Sequence, residues 1–147
     1  MRGTIINHSS LAGIKQSYQK IGELCGVGAE ARARLADLAT QEAAVRSSCA
    51  SSSGSQLTRV LVVVGRTREG SESSGVYVSG KDGFYSELLN ILSAQNVNSE
   101  ITVSLPALSS EGIVKLNPDV IIEIVNTDDG HVSPNYSAFW RRFSPSF

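Results

Sequence analysis

The sequence predicts a three-layer α/β lobe with a small, mostly parallel sheet, preceded by a long helix. Residues 59–65, RVLVVVG, form a continuous apolar run that is typical of a strand buried on both faces. Strand-like and helical segments alternate from there to residue 125. Residues 9–50 instead repeat apolar side chains every three or four positions, which indicates helices.

Two helices are predicted before the sheet. Ser9 or Ser10 caps the first helix, which continues to about Cys25 and ends at the glycines that follow. The second helix covers about 29–49 and has only a shallow apolar face. A linker rich in Ser and Gly occupies 47–56. The chain therefore divides into a helical segment with the long helix and linker, 1–56, and an α/β lobe, 57–147.

The lobe has a separate signal for each further element. The predicted helices are 83–92 and 110–116, and the predicted strands are 101–103 and a second buried strand at 120–125. A helix of two turns is not stable alone, so the one at 110–116 must be fastened to the strand that follows it. The aromatic and basic segment 136–143 is either a helix that packs its aromatic rings on the sheet or a partner-binding patch.

Composition excludes several classes of partner. The formal net charge is -1, which gives no electrostatic reason to bind nucleic acid or an anionic membrane. No apolar run approaches the roughly 20 residues that span a bilayer. The N-terminal residues lack the apolar core of a secretory signal, so the chain stays in the cytoplasm if this start is genuine.

No catalytic or metal site is predicted. Cys25 and Cys49 are far apart in the sequence and form no ligand set with His8 and His131, so they are interpreted as structural or free. The glycines at 65 and 70 lack the Lys and Ser or Thr of a phosphate loop. No cofactor is therefore expected, and no nucleophile with a base stands out.

Three motifs resemble a known family. They are RVLVVVG at 59–65, VYVSGKDGFYSELL at 76–89 and LPALSSEGIVKLNPDVII at 105–122. Together they resemble the C-terminal lobe of the substrate-binding proteins of ABC importers for cobalamin, haem and ferric siderophores, the periplasmic binding proteins of helical-backbone type. The long helix resembles the rigid inter-lobe helix of that family. The resemblance covers about 9–125 and implies a periplasmic protein that binds a ligand between two lobes, and not an enzyme.

The resemblance also implies which residues contact the ligand. In this family, loops that follow the strands supply the contacts, in agreement with the general position of ligand sites on open sheets. The corresponding residues here are Arg66, Arg68, Lys81, Phe84, Tyr85 and Leu105. An aromatic residue often stands at the position of Leu105, so one stacking contact is expected to be lost. The alternative for each of these residues is a solvated loop.

Glu111 is implied as a partner-docking residue. In the family, an acid at the start of a short helix before a Pro-Asp strand docks on arginines of the ABC permease, and Glu111 has that position. Its alternative role is to stabilise the helix N-terminus, which contributes roughly 0.3 to 1 kcal/mol.

The resemblance implies half of a receptor. The lobe is expected to be incomplete, and the N-terminal lobe is either lost or carried by another chain. Alone, the chain would then bind its ligand weakly or not at all. The competing interpretations are a non-functional or repurposed fragment of such a receptor and an unrelated α/β enzyme domain.

Overall fold

The structure is a computed structural model. It describes residues 4–52, 56–66, 75–81, 83–98, 103, 105–125 and 139–141. The chain forms two compact units. Unit 1 comprises Met1–Thr58 and Asp82–Gln95, and unit 2 comprises Arg59–Lys81 and Asn96–Phe147.

The described part of unit 1 forms three helices, α1 (Leu11–Leu24), α2 (Gly28–Ser52) and α3 (Phe84–Ile91). The predicted start of α1 is confirmed, because Ser10 is its N-cap and its hydroxyl accepts the N–H of Gly13 at 3.0 Å. α1 ends one residue before the predicted Cys25, and Gly26 has a φ of +78° in the turn to α2.

α1 and α2 pack closely at one small residue. A Cβ on the buried Gly22 would lie 2.5 Å from the Cβ of Ala31, so a larger residue at position 22 would force the helices apart. The rest of α2 is shallowly packed, with Leu38 39% and Val45 41% exposed, as its weak apolar stripe predicted. α2 also extends to Ser52, so the predicted linker start at 47 is wrong.

The serines at the end of α2 bond within the helix. The Ser48 hydroxyl donates to the carbonyl of Ala44 at 3.0 Å, and the Ser51 hydroxyl donates to the carbonyl of Ser47 at 3.2 Å. These i to i−4 bonds direct the hydroxyls onto the helix backbone. A serine-rich composition therefore does not end the helix here.

Within the described residues, the sheet has five strands: β1 (Thr58–Arg66), β2 (Val76–Val78), β3 (Ala94–Asn96), β4 (Ala107–Leu108) and β5 (Val120–Glu123). β1 is central, and the order is β3-β1-β2-β4 with β5 also paired to β1. β1 and β5 are parallel, whereas β1–β2 and β2–β4 are antiparallel. The α/β class is confirmed, and the described sheet is mixed and contains a parallel pair.

The core of unit 2 lies on β1 and β2 and on a short helix, α4 (Ser110–Leu116). Its buried members are Leu61, Val63, Val76, Val78 and Ile113. Phe139 and Trp140 pack against this cluster, which favours the first of the two interpretations of the C-terminal aromatic segment. No helix within the described ranges is both long and apolar enough to cross a membrane.

Two strand predictions need correction. β5 ends at Glu123 and is not buried on both faces, because Val120 is 40% and Ile122 43% exposed while Ile121 packs against the core. In the described part, β5 pairs only with β1, so one side of this short strand has no described neighbour. Of the predicted strand at 101–103, the first two residues lie outside the described ranges and Val103 is an exposed bend.

The division into units also differs from the predicted boundary. The first break, after Thr58, lies close to the predicted one, but residues 82–95 return to unit 1. α3 joins unit 1 because it packs on α1 and α2, and the guanidinium of Arg46 on α2 donates to the carbonyl of Asn90 at 3.4 Å.

Candidate functional site

The segment after β2 is held by a buried amide cluster in unit 2. Asn96 donates from Nδ2 to the carbonyls of Ser79 and Gly80, at 3.3 and 3.0 Å. Asn98 donates from Nδ2 to the carbonyl of Ser79 at 3.1 Å, and its N–H donates to Oδ1 of Asn96 at 3.0 Å. Buried amides are stable only when bonded in this way. The cluster therefore fixes the chain immediately before the exposed Lys81.

Phe84 and Tyr85 open α3 in unit 1 and contact each other. Their ring centroids are 5.4 Å apart, and the rings cross at 68°, which is an edge-to-face pair. Both side chains are half-buried. The pair therefore offers a partly accessible aromatic surface at the N-terminus of α3.

Arg66, at the end of β1, belongs to a network inside unit 2. Its Nε donates to Oε1 of Glu123 at 2.5 Å, with the two side chains only 17% and 11% exposed. The guanidinium lies over the ring of Phe139, with Cζ 4.3 Å from the ring centroid. Trp140 donates from Nε1 to the other carboxylate oxygen of Glu123 at 2.8 Å. Arg66 thus holds residues 139–141 to the ends of two parallel strands.

Of the other two predicted ligand contacts, the structure describes only Leu105. Arg68 lies outside the described residues. Leu105 is 54% exposed, and the carbonyl of the next residue, Pro106, accepts the N–H of Val78 at 3.0 Å. Leu105 is therefore displayed at the surface beside the sheet, next to β4.

Glu111 is exposed in the first turn of α4 in unit 2. The hydroxyl of Ser109 caps this helix by accepting the N–H of Gly112 at 3.2 Å. Ile113, 1% exposed, anchors the opposite side in the core. The predicted helix is confirmed, and its acid points away from the buried residue.

The Pro-Asp turn fastens α4 to the sheet, as predicted for so short a helix. Oδ2 of Asp119 accepts the N–H of Arg59 at 2.8 Å, and the N–H of Asp119 donates to the carbonyl of Arg59 at 2.8 Å. The guanidinium of Arg59 donates to the carbonyl of Leu116 at 2.6 Å, near the end of α4. Asn117, at a φ of +44°, makes the left-handed turn between them.

The predicted residues therefore fall in both units. Phe84 and Tyr85 lie in unit 1, whereas Arg66, Lys81 and Glu111 lie in unit 2 together with Leu105. An open groove of about 550 Å³ on unit 1 is formed by other residues: Lys15, Gln16, Gln19, Lys20, Glu23 and Leu35.

Sequence reasoning missed four residues that organise these positions, namely Glu87, Asn96, Asn98 and Glu123. The position of Glu123 within the apolar run VIIE was a usable signal, because an acid in a strand that packs on a core needs partners. The partner of Glu87 is 76 residues away, at the N-terminus of α1, so no local pattern indicates it.

A model of one family matches residues 4–130, and its description is periplasmic binding protein. The chain belongs to the periplasmic binding protein family. A curated relative, an uncharacterized ABC transporter substrate-binding lipoprotein of Bacillus subtilis named YvrC, is 28% identical over 127 residues. That match covers 86% of this chain and 37% of the relative.

Solved structures of periplasmic binding proteins share the fold. An ABC transporter substrate-binding protein from Listeria monocytogenes has a TM-score of 0.75 at 18% identity, covering 97% of this chain and 52% of that one. The S. aureus protein IsdE, solved with heme, has a TM-score of 0.70 at 21% identity, covering 97% and 51%. The periplasmic heme-binding protein HutB of Vibrio cholerae has a TM-score of 0.69 at 17% identity, covering 97% and 54%.

Membership defines the class of protein. The periplasmic binding proteins matched here are substrate-binding proteins and not enzymes, which confirms the prediction that this family member is not an enzyme. The chain spans about a third of the curated relative and about half of each of these structures.

Proposed function

We propose that this chain is part of the substrate-binding component of an ABC importer. The family match over residues 4–130 is the observation that carries the proposal. The Bacillus relative is described as a substrate-binding lipoprotein, and HutB as periplasmic, which supports a location outside the cytoplasm.

The ligand class proposed is haem, a ferric siderophore or cobalamin. Two of the similar structures are described as a complex with heme and as a heme-binding protein. The edge-to-face pair of Phe84 and Tyr85 suits a flat or macrocyclic ligand, because aromatic faces give contact area at little cost in side-chain entropy. Lys81, exposed after a fixed segment, is proposed to meet a carboxylate of that ligand.

Arg66 is also a proposed ligand contact. Its Nε is engaged by Glu123 in this structure. Arg68 and Leu105 are proposed ligand contacts because the family resemblance implies them.

The alternative within the same family is a non-functional or repurposed fragment of a receptor. It shares the fold and the family match, so only binding separates the two. An unrelated α/β enzyme domain is not supported, because the matched family consists of substrate-binding proteins.

The proposal is tested by titrating the isotope-labelled 147-residue chain with hemin, ferrichrome and cyanocobalamin, one at a time. The resonances of the Phe84 and Tyr85 rings are followed by NMR. We expect one of the three ligands to shift these signals, with a dissociation constant weaker than about 1 μM, because the cleft of the family is built from two lobes.

The variant Tyr85→Ala should reduce that affinity about tenfold or more, as loss of an aromatic anchor does. The matched control is Tyr18→Ala, which removes a tyrosine from α1 that is 48% exposed. Equal loss in both variants, or no ring shift with any of the three ligands, would contradict the proposal and favour the non-functional fragment.

A further inference from the structure

The N-terminal ends of α1 and α3 exchange hydrogen bonds inside unit 1. The N–H of Leu11, the first residue of α1, donates to Oε2 of Glu87 at 2.6 Å. The N–H of Phe84, the first residue of α3, donates to the carbonyl of Ser9 at 3.1 Å. First-turn amides have no partner within their own helix. The first amide of α1 is therefore bonded by a residue of α3, and the first amide of α3 is bonded by the segment that leads into α1.

Local features leave both amides free for this exchange. Gly83, the N-cap of α3, offers no side-chain acceptor and has a φ of +147°, a conformation suited to glycine. The cap of α1, Ser10, is engaged with the N–H of Gly13. Neither N-cap residue is bonded to the first amide of its own helix. The carboxylate of Glu87 and the carbonyl of Ser9 accept these two amides instead.

The carboxylate of Glu87 is well suited to its position. It is half-buried, it lies in the first turn of α3, and it accepts from the first turn of α1, so two positive helix ends favour its negative charge. A hydrogen bond to a charged acceptor is stronger than a neutral one. Glu87 therefore fixes the first turn of α3 against α1.

We propose that Glu87 is a positioning residue that sets the orientation of the Phe84–Tyr85 ring pair through the N-terminus of α1. These rings occupy the first two positions of α3, directly beside the exchanged hydrogen bonds. The consequence for ligand affinity rests on the proposed function, whereas the ring geometry does not. A ligand that stacks on the rings tightens the exchange of hydrogen bonds in return, because such coupling is reciprocal.

The experiment uses three variants of the 147-residue chain: Glu87→Ala, Glu87→Gln and the control Glu30→Ala. Glu30 is an exposed acid in the first turn of α2. Its loss therefore changes the net charge by the same amount and also removes a negative charge from a helix N-terminus. NMR gives the exchange rates of the Leu11 and Phe84 amides and the nuclear Overhauser contacts between the Phe84 and Tyr85 rings. Hemin titration gives the affinity.

In Glu87→Ala, both amides should exchange about tenfold faster or more, and the ring contacts should weaken, because the charged acceptor is lost. Glu87→Gln keeps an oxygen acceptor, so it should restore the ring contacts and part of the protection. Glu30→Ala should leave the rings and both amides unchanged. If hemin binds to the parent chain, Glu87→Ala should lower its affinity more than Glu87→Gln.

The outcomes separate the two proposals. Unchanged ring contacts in Glu87→Ala and Glu87→Gln would overturn the positioning role, whether or not hemin binds. If the contacts between the Phe84 and Tyr85 rings change but the hemin affinity does not, Glu87 does not determine ligand binding. Altered rings in a chain that binds none of the test ligands would leave the positioning of the rings standing and would count against the proposed function alone.

Discussion

At the scale of single residues, the carboxylate of Glu123 accepts hydrogen bonds from two side chains. Arg66 and Trp140 each donate to a different oxygen of its carboxylate. The ring of Phe139 packs edge to face on Trp140, with centroids 4.9 Å apart, and also lies under the guanidinium. A carboxylate so little exposed is stable only when both oxygens are bonded. Glu123 is therefore the centre that attaches residues 139–141 to unit 2.

We predict that Glu123→Ala detaches the side chain of Trp140. The emission maximum of tryptophan should move to longer wavelength as the indole becomes hydrated. The free energy of unfolding should fall by about 2 to 3 kcal/mol, because one partner of a mostly buried ion pair is removed. Urea titration followed by tryptophan fluorescence measures both quantities, and Trp140 is the single tryptophan of the chain.

The control for this variant is Glu42→Ala. It breaks the ion pair of Glu42 with Lys15, whose side chains are 23% and 29% exposed, but this pair lies in unit 1. The emission maximum in the folded state should not change. If Glu123→Ala also leaves the emission unchanged, the network around Trp140 is not present in solution.

The sequence analysis named Arg66 but not its partner Glu123. The family resemblance implied Arg66 as a ligand contact, at the end of a buried strand, where ligand sites of open sheets lie. Its partner Glu123 is 57 positions away, and the pairing arises only when β1 and β5 align in parallel. A partner so distant in the sequence cannot be predicted from local pattern, because the pairing depends on strand register.

At the scale of elements, α4 shows how a helix of seven residues is made stable. One buried side chain, Ile113, supplies the packing, and the turn at Asp119 ties the helix to the start of β1. Because isolated short helices are unstable, these tertiary contacts provide most of the stability of α4. Its orientation, and hence that of Glu111, follows from them.

We predict that Asp119→Ala loosens α4 while the sheet remains folded. The lost hydrogen bond to the N–H of Arg59 is exposed, so the free energy of unfolding should fall by about 1 kcal/mol. Urea unfolding followed by Trp140 fluorescence reports this change in unit 2. Amide exchange should be faster within residues 110–116.

Asp37→Ala is the matched change on α2. Asp37 makes an exposed pair with Arg34 at 4.0 Å, which contributes little to stability. Its unfolding midpoint should match that of the parent chain. An equal loss in both variants would mean that the turn at Asp119 does not fasten α4.

The elements that could be predicted are those with a strong local signal. β1 has a long apolar run, and α1 and α4 have serine caps, so each was expected within one or two residues of its observed start. β2, β3 and β4 have only two or three residues, and pairing alone defines them. No periodicity can be read from so few positions, which is why the sequence did not predict these three strands.

At the scale of the whole molecule, Glu111 is proposed to act toward a partner and not within the fold. It is exposed on a helix that the core holds in place, so it presents a charge at a fixed position. Such charges set specificity and association rate more than they set stability. The docking role comes from the family resemblance and has to be tested on the assembled importer.

We predict that Glu111→Ala weakens binding to the detergent-solubilised ABC permease by about fivefold or more, as loss of a charge contact at an interface does. Its free energy of unfolding should change by no more than about 1 kcal/mol, because only a helix-end charge is lost. Lys115→Ala, an exposed change in the last turn of the same helix, should leave permease binding unaffected. Equal affinities of Glu111→Ala and the parent chain would contradict docking.

The path of the chain through its two units limits how this protein can be recombined with its relatives. The chain passes from one unit to the other three times, after residues 58, 81 and 95. A single crossover in the gene therefore cannot transfer one unit without also transferring part of the other. Exchange of unit 1 between two family members must move residues 1–58 together with 82–95, so that Ser9 and Glu87 are inherited from the same parent.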